Sequence, residues 1–375
     1  MKIVADQNMP LVEELFGRFG KAELLPGRDI SAADLADADV LLVRSVTQVN
    51  EHLLAGSTVK FVGSATIGTD HIDCDYLSEK AISFAHAPGC NARAVVQYDL
   101  SVFCRLQPDW RTKEIGIIGC GNVGGRLYLT LKALGVSCRV YDPFLTQEKV
   151  ADLVDFADVL ETEIICLHTP YTTDGPYPTH HLFDRQALEK LKPGTLLLNA
   201  GRGAVIDNAA LLDLLEKGAD ISVALDVWEG EPDLNLQLMN KVNLATPHIA
   251  GYSREGKEGG TRMVFEAFCR WRNAPGFAPL QFPFEQKELL RADTVNQAII
   301  ESYDVSRDDQ CMREAMQSLK RQGIESAQTV AQVFDRLRRD YPQRREFSHF
   351  KVYGIDDREG EKGDLDALKA IGFTC

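Results

Sequence analysis

The sequence predicts an α/β protein built on doubly wound parallel sheets, with a smaller α+β segment at its C-terminal end. Short β-rich runs alternate with helical segments from Lys2 to about Ala87, and the alternation restarts at Glu114 with more apolar runs. This alternation is typical of parallel βαβ units. After about Phe277 the composition changes to helices rich in Arg, Asp and Gln, which indicates a third region.

The strands of the first block are expected in four runs: KIVAD, DVLLVRS, VKFVGSAT and ISFAHAP. A helix is expected over NARAVVQYDLSVFCRL, ending near Pro108. Six strands follow in EIGIIG, SCRVYD, EIICLHT, TLLLNA, ISVALDVW and NLATPH. Because these runs are apolar at nearly every position, we expect strands that are buried on both faces. Two helices should lie among them, one with Val123, Leu127, Leu131 and Leu134 on a single face, and one that Asp207 caps and Gly218 ends.

The C-terminal region contains a helix with an apolar face and a short strand. Val330, Phe334, Leu337 and Tyr341 recur at helical spacing, FKVYGI reads as a strand, and a last helix is expected near Leu365. This region carries no chemical motif. We therefore predict a dimerisation module.

Composition excludes several functional classes. The 375 residues carry a formal net charge of -14, which argues against nucleic-acid binding, so an anionic substrate would need a local cluster of Arg or Lys. The nine cysteines form no CxxC pair, and we expect neither a disulfide framework nor a metal site. Without a signal-peptide core or a run of about 18 apolar residues, a membrane role is not expected. We expect a cytoplasmic protein.

A glycine-rich turn follows the strand EIGIIG. Gly119 permits the tight turn, Gly121 allows the backbone to approach a pyrophosphate, and Gly124 allows the next helix to pack closely, as in a Rossmann nucleotide site. Asp142 ends the following strand and could accept hydrogen bonds from the adenosine ribose. Its charge would repel a 2′-phosphate, and PFLTQE supplies no nearby cation, so NAD is favoured over NADP. A purely structural glycine turn and a solvated Asp142 are the alternatives.

Polar residues also follow three later strands, where the ligands of open α/β sheets bind. Arg202 lies in NAGRGAVID, Asp226 and Glu231 in LDVWEGEP, and His248 in TPHIAGY. A neutral imidazole suits removal of a hydroxyl proton near neutral pH, a carboxylate can orient it, and an arginine can hold a substrate carboxylate. Taken singly, His248 could be structural and Arg202 could anchor its loop.

Taken together, these motifs resemble the NAD-dependent D-2-hydroxyacid dehydrogenases. The matching phrases are TIGTDHID, GCGNVG, NAGRGAVID, LDVWEGEP and TPHIAGY, spanning most of residues 60–252. The resemblance implies a discontinuous, flavodoxin-like substrate domain at 1–92 and 252–280 and an NAD-binding Rossmann domain at 93–251. The C-terminal module would then occupy 281–375.

The resemblance also implies roles for single residues. Arg202, Glu231 and His248 would be catalytic, with His248 as proton donor in the reverse direction. The remaining roles fall to Asp142, Thr169, Asp226 and Gly251 at the cofactor, and to Ser45, Thr66 and Tyr252 at the substrate. One departure is Gln97, where such proteins usually carry Glu.

The resemblance extends to phrases outside the catalytic core, such as PGCNARAVVQY and HTPYTTDGPYPTHHL. This part of the resemblance implies the substrate 4-phospho-D-erythronate and a step of pyridoxine 5′-phosphate synthesis. This substrate has two anionic ends. Arg44 beside Ser45, together with Arg202, could hold one end, and Arg344 or Arg345 could reach the phosphate across a homodimer. A solvated helix end is the alternative for that pair.

Three further histidines, His71 and the pair His180 and His181, are expected to be structural or loop residues.

Two alternative functions are open from the sequence. One is oxidation of D-3-phosphoglycerate or another D-2-hydroxy acid, and the other is an NAD-responsive binding scaffold.

Overall fold

The computed structural model describes residues 1–274, 286–324, 326–355 and 362–375. These residues divide into two compact units, Met1–Asn91 with Ser253–Gln286 and Ala92–Tyr252 with Lys287–Cys375. The expected boundaries at Phe277 and at 280/281 lie outside the described residues.

Thirteen strands are numbered along the described chain. They are β1 (Lys2–Asp6), β2 (Lys21–Leu25), β3 (Val40–Val43), β4 (Phe61–Ser64), β5 (Ser83–His86), β6 (Ile115–Ile118), β7 (Cys138–Tyr141), β8 (Ile164–Leu167), β9 (Thr195–Asn199), β10 (Ile221–Leu225), β11 (Leu244–Ala245), β12 (Glu288–Arg291) and β13 (Phe350–Tyr353).

Fifteen α-helices are numbered in the same way. They are α1 (Val12–Phe16), α2 (Ala32–Leu35), α3 (Glu51–Leu54), α4 (Cys74–Glu79), α5 (Ala92–Leu106), α6 (Asn122–Ala133), α7 (Phe156–Val159), α8 (Arg185–Glu189), α9 (Asn208–Glu216), α10 (Leu236–Lys241), α11 (Arg254–Trp271), α12 (Val295–Ser302), α13 (Val305–Gln322), α14 (Ala327–Arg339) and α15 (Lys362–Ile371). Three short 3-10 helices lie at Trp110–Thr112, Gly203–Val205 and Phe347–His349.

The first unit is a five-stranded parallel sheet in the order β2-β1-β3-β4-β5. The order reverses between β1 and β3, as in flavodoxin-like sheets, and ligands of such sheets bind beyond the carboxyl ends of the strands at that point. The returning helix α11 completes the core. Its Phe268 lies 5.3 Å from the Phe16 ring and 5.5 Å from the Phe61 ring. Burial of each phenyl ring contributes about 1.5–3 kcal/mol.

The second unit has a six-stranded parallel sheet in the order β11-β10-β9-β8-β6-β7. Every residue of β6, β8 and β9 is buried, because helices cover both faces of the sheet. The order reverses between β6 and β8. The doubly wound α/β class predicted from the sequence is therefore confirmed.

The C-terminal region adds a separate two-stranded parallel sheet, β12 with β13, and the helices α12 to α15. Leu290, Phe350 and Val352 of this sheet are buried, whereas Leu289 and Tyr353 are 68% and 52% exposed. The expected α+β character is confirmed. The region belongs to the same compact unit as the six-stranded sheet.

Most local signals in the sequence mark real elements. The helix expected before Pro108 is α5, Asp207 caps α9 by accepting the amide of Ala210, and Gly218 follows that helix with φ +81°. The strand β2 was not expected, because its segment KAELL has no fully buried position. In the described parts of the chain, no helix has both the length and the apolar character needed to cross a membrane.

Replacement of Gly124 by alanine should destabilise the second unit. A Cβ at Gly124 would lie 1.9 Å from the carbonyl oxygen of Gly119, whereas a Cβ at Gly121 would meet nothing within 4 Å. We expect Gly124→Ala to lower the free energy of unfolding by about 1–3 kcal/mol, because the backbone must shift. Gly121→Ala is the matched control and should leave stability nearly unchanged. Equal denaturant midpoints for the two variants would contradict this account.

Candidate active site

The glycine-rich turn joins β6 to α6 in an arrangement suited to a dinucleotide. Gly119 has φ +85°, and a Cβ there would press against the backbone nitrogen of Thr169 at 2.9 Å. The space in front of Gly121 is open to 4 Å, at the N-terminal end of a twelve-residue helix. Amide groups and the positive end of the helix dipole there favour a phosphate.

Two polar side chains border this turn. The carboxylate of Asp142 accepts the amides of Cys120 (2.9 Å) and Phe144 (3.0 Å), so it ties the glycine turn to its own loop. The buried hydroxyl of Thr169 makes no hydrogen bond to any described residue. A buried hydroxyl without a protein partner calls for an explanation, and a bound group that is not part of the protein would supply one. The turn, the open space and this hydroxyl together fit NAD.

Asp226 holds the loop that carries the candidate base. It follows β10 and is only 1% exposed. Its carboxylate accepts three hydrogen bonds, from the hydroxyl of Thr246 (2.7 Å) and from the amides of Ile249 (2.8 Å) and Ala250 (2.9 Å). The amide of His248 donates to the carbonyl of Asp226 at 2.7 Å. The backbone of residues 246–250 is therefore fixed from one buried side chain.

His248 and Glu231 form a hydrogen-bonded pair. Nδ1 of His248 lies 2.5 Å from Oε1 of Glu231, and the other carboxylate oxygen accepts the amide of Trp228 at 3.2 Å. The histidine side chain is 28% exposed, so a reactant can approach its ring. Its backbone has φ +56°, a left-handed conformation that costs about 1–2 kcal/mol and that the hydrogen bonds of the loop sustain.

The pKa of Glu231 lies below its ordinary value. Burial opposes this shift, but the neighbouring His248 and Arg338, together with the Trp228 amide, outweigh it. The side chain is therefore a carboxylate at neutral pH, as an orienting partner for an imidazole requires.

Arg202 lies in a loop that packs closely against the Glu231 loop. Asn199 shapes the turn by donating to the carbonyl of Arg202 (2.9 Å) and accepting the amide of Gly201 (3.0 Å). A Cβ at Gly203 would lie 1.9 Å from the carbonyl carbon of Trp228, so only glycine permits this approach. The structure thus brings the Arg202 loop beside the loop of the His248–Glu231 pair.

The substrate-contact candidates of the first unit lie at the carboxyl ends of two adjacent strands. Arg44 and Ser45 follow β3, and Thr66 follows β4. The hydroxyl of Thr66 lies 2.7 Å from that of Ser64 and donates to the carbonyl of Gly68 at 2.8 Å. His71, expected to be structural, is buried and lies 2.9 Å from the Ser64 hydroxyl. This chain of hydrogen bonds fixes Thr66.

Tyr252 has a cationic neighbour that the sequence analysis missed. Its amide donates to the carbonyl of Ile249 at 2.8 Å, which closes a turn that follows His248 and includes Gly251. The guanidinium carbon of Arg338, on α14, lies 5.8 Å from the Tyr252 ring centre and 5.9 Å from that of Phe334. A signal existed, because Arg338 follows Phe334 by four residues and so shares its apolar helix face.

Arg344 does not lie where the sequence analysis expected it. It follows α14 rather than ending it, and it is 7% exposed. Its guanidinium donates to the carbonyls of Ala94 and Ala250 and lies 4.3 Å from the Tyr303 ring centre. The expectation of a solvated helix end, or of a side chain that reaches across a dimer, is corrected because Arg344 is enclosed within its own unit.

Gln97 and Arg345 are linked. The buried Gln97 donates to the backbone carbonyl of Arg345 at 3.1 Å, which connects α5 to the C-terminal segment. The departure at Gln97 therefore has a structural partner. The Arg345 side chain is partly exposed, and its role at the phosphate stays a prediction.

His181 lies in a small polar cluster with Asp207 and Glu229. Its Nε2 lies 2.7 Å from Glu229, and the ligand atoms of the three residues lie within 4.8 Å of one another. All three are engaged locally, since Asp207 caps α9 and Glu229 accepts the amide of Asn208 at 3.2 Å. These contacts account for the cluster as the anchor of the first turn of α9.

Comparison with known proteins places this geometry in a family. Residues 101–250 match the NAD-binding domain of the D-isomer specific 2-hydroxyacid dehydrogenases, and residues 283–372 match a domain of unknown function. An erythronate-4-phosphate dehydrogenase from Teredinibacter turnerae is 48% identical, covering 94% of this chain and 95% of the relative. The proteins of the same name from Cellvibrio japonicus and Klebsiella pneumoniae are 46% and 45% identical, covering all of this chain and 100% and 98% of the relative.

Solved structures share the fold. A D-lactate dehydrogenase from Aquifex aeolicus, solved with NAD and lactic acid, has a TM-score of 0.62 at 21% identity and covers 73% of this chain and 96% of its own. An NAD⁺-bound 3-phosphoglycerate dehydrogenase from Entamoeba histolytica has a TM-score of 0.62 at 24% identity, covering 74% and 96%. With a Rossmann domain that binds NAD and near full-length relatives, the chain belongs to the family of D-isomer specific 2-hydroxyacid dehydrogenases.

Proposed function

We propose that this chain oxidises 4-phospho-D-erythronate to (R)-3-hydroxy-2-oxo-4-phosphooxybutanoate with NAD, as a step of pyridoxine 5′-phosphate synthesis. The observation that carries the chemistry is the 2.5 Å contact between His248 and Glu231 in the unit that contains the NAD-binding domain. The substrate is supported by relatives named erythronate-4-phosphate dehydrogenase that are 45–48% identical over almost the whole chain.

In this mechanism His248 is the base. Its Nδ1 faces Glu231, so Nε2 is the ring atom that accepts the proton of the C2 hydroxyl. The carboxylate of Glu231 stabilises the imidazolium that forms. NAD, when bound, accepts the hydride that leaves C2. In the reverse direction His248 returns its proton to the carbonyl oxygen.

The remaining residues bind and orient the substrate. Arg202 holds the substrate carboxylate in a two-pronged contact, which sets C2 in position for the reaction. Ser45, Thr66 and Tyr252 contact the substrate, and Arg44 adds positive charge beside Ser45.

The cofactor contacts come from the glycine turn and the neighbouring loops. Their proposed members are Gly119, Gly121, Gly124, Asp142, Thr169, Asp226 and Gly251. Since a carboxylate accepts about four hydrogen bonds and Asp226 already accepts three, it retains one site for the cofactor.

Assembly and location form part of the same proposal. The exposed face of the β12–β13 sheet carries Leu289 and Tyr353, which are 68% and 52% exposed. A second copy of the chain would cover these apolar side chains in a homodimer. All nine cysteines are free thiols, as is usual in a reducing cytoplasm.

A substrate panel separates this proposal from its nearest rival. NADH formation would be followed at 340 nm, the absorption band of NADH, with 4-phospho-D-erythronate, D-3-phosphoglycerate and D-lactate. We expect kcat/KM for the first to exceed the others by about 100-fold or more. Lactate has no phosphate, and D-3-phosphoglycerate is one carbon too short to place its carboxylate and its phosphate at both ends of the same site, so each loses one buried ionic contact, which costs about 3 kcal/mol. A preference for either of the other acids would overturn the substrate assignment.

His248→Asn in the same panel separates an enzyme from a binding scaffold. The rate should fall by about 10²–10⁴, as removal of a general base requires, while NAD binding persists. His52→Asn, at an exposed helix position in the first unit, is the control and should retain full activity. Undiminished turnover in His248→Asn would exclude this mechanism.

Glu231→Gln should lower kcat about 100-fold or more, because the imidazolium loses its carboxylate partner. The pKa of Glu231 is depressed in the folded protein, so the stability it contributes is present above its unfolded pKa and lost as pH falls through the folded value. The difference in unfolding free energy between wild type and variant should therefore be largest near neutral pH and shrink in acid. Glu229→Gln, which also loses a histidine contact, is the control for kcat. A pH-independent difference would contradict the assignment.

Asp226→Asn should disturb both stability and turnover. An amide in place of the carboxylate directs N–H groups at other donors, so we expect a loss of about 1–3 kcal/mol in unfolding free energy and a reduced kcat. Asp184→Asn makes the same change at the N-cap of α8, where one amide at 2.9 Å is the partner, and should leave kcat unchanged. If both variants had the same kcat, Asp226 would not position the base.

A further inference from the structure

The loop after β8 forms an arm over residues 170–180, closed at its base by two threonines. The amide of Thr172 donates to the hydroxyl oxygen of Thr179 at 2.8 Å, and the amide of Thr179 donates to the hydroxyl oxygen of Thr172 at 3.1 Å. The Thr179 hydroxyl also donates to the carbonyl of Pro170 at 2.7 Å. Because its two ends are held together, the arm is a compact loop with a projecting tip. Neither the glycine turn nor the catalytic pair accounts for it.

The tip of the arm carries Tyr177, which packs against Phe144 of the loop after β7. The two ring centres lie 5.5 Å apart, and the ring planes are at 90° to each other. Phe144 is 70% exposed and Tyr177 is 48% exposed. Two rings at right angles form a corner in which a flat group can stack on one ring and present its edge to the other. An exposed aromatic corner of this kind is suited to a ligand.

The corner lies at the edge of the sheet where the cofactor binds. The strands β7 and β8 flank β6 on its two sides, and the glycine turn follows β6. The loops after β7 and β8 therefore lie on either side of that turn, beyond the carboxyl ends of the strands, where ligands of open α/β sheets bind. Phe144 and Tyr177 join these two loops across that edge.

The neighbour of Phe144 identifies the part of the cofactor that is closest. The Phe144 amide donates to the carboxylate of Asp142 at 3.0 Å, and Asp142 is the proposed partner of the adenosine ribose. Adenine is bonded directly to that ribose, so the base lies beside the residues that follow Asp142. Neither the arm nor residues 143–148 contain Lys or Arg, so the corner is not suited to a phosphate. Adenine is flat and uncharged, and such bases bind by stacking on aromatic side chains.

We propose that Phe144 and Tyr177 hold the adenine ring of NAD in this corner, so that the arm supplies affinity for the adenosine half of the cofactor. The glycine turn binds the pyrophosphate, and the arm binds one end of the same ligand. This inference rests on the proposed contact of Asp142 with the ribose. It is independent of which hydroxy acid the enzyme oxidises.

The test measures binding of NADH to wild type, Phe144→Ala and Tyr177→Ala by the fluorescence of NADH, with AMP and nicotinamide mononucleotide as competitors. Each competitor carries one phosphate, but only AMP carries adenine. We expect each variant to raise the dissociation constant of AMP about tenfold, as loss of a base–aromatic stacking contact does. The constant for nicotinamide mononucleotide should stay within about twofold of wild type. No hydroxy acid is present, so the measurement does not depend on turnover.

Three further variants serve as controls. Leu129→Ala removes a side chain that is 63% exposed on α6 of the same unit, and it should leave both constants unchanged. Tyr177→Phe keeps the ring and should bind AMP within about twofold of wild type. Asp142→Ala tests the proposed ribose contact separately and should weaken AMP. Thermal unfolding of every variant would be measured alongside, and little change is expected for Phe144→Ala and Tyr177→Ala because both side chains are exposed.

The outcomes separate this inference from the proposed cofactor contacts. AMP binding that is unchanged in both ring variants but weakened in Asp142→Ala would overturn the inference and leave the ribose contact standing. Unchanged binding in all three variants would remove the ribose contact and the inference together. Equal weakening of AMP and nicotinamide mononucleotide in the ring variants would also overturn it, because the rings would then support the unit as a whole rather than the adenine.

Discussion

The buried carboxylate of Asp226 is the constraint on which the active-site geometry depends. Three donors from residues 246–250 converge on it, and His248 donates its amide to the carbonyl of the same residue. These bonds hold His248 in a left-handed backbone conformation that a histidine adopts at a cost. The imidazole is thereby directed toward Glu231, and a buried acceptor, rather than a surface contact, determines where the proposed base lies.

The C-terminal region braces the same loop from a second direction. Arg344 donates to the carbonyl of Ala250, and Gln97 connects α5 to the backbone of Arg345. Enclosing a guanidinium costs solvation, which its contacts with two carbonyls and the ring of Tyr303 offset in part. The region therefore belongs to the same compact unit as the candidate active site. Its contribution to the site is structural at Arg344 and electrostatic at Arg338.

Local chemistry explains which features the sequence could predict. The buried strands, the glycine turn and the Asp207 cap depend on residues that are neighbours along the chain, and each of them is present. The strand β2 has no such signal, because its partial burial comes from a neighbouring strand. The burial of Arg344 depends on Ala94 and Ala250, which are 250 and 94 residues away along the chain. An arginine by itself predicts a side chain that is exposed to solvent. Tertiary partners of this kind leave no mark on a local pattern.

Within the family, the features that all members share can likewise be separated from those that differ between members. The proposed catalytic pair, His248 and Glu231, and the glycine turn lie in motifs within the matched domain, and two proteins that are 21% and 24% identical to this chain share its fold. Hydride transfer requires the same geometry whatever lies at the far end of the substrate. Recognition of that far end can therefore change without altering the core, provided that the new cation comes from outside it.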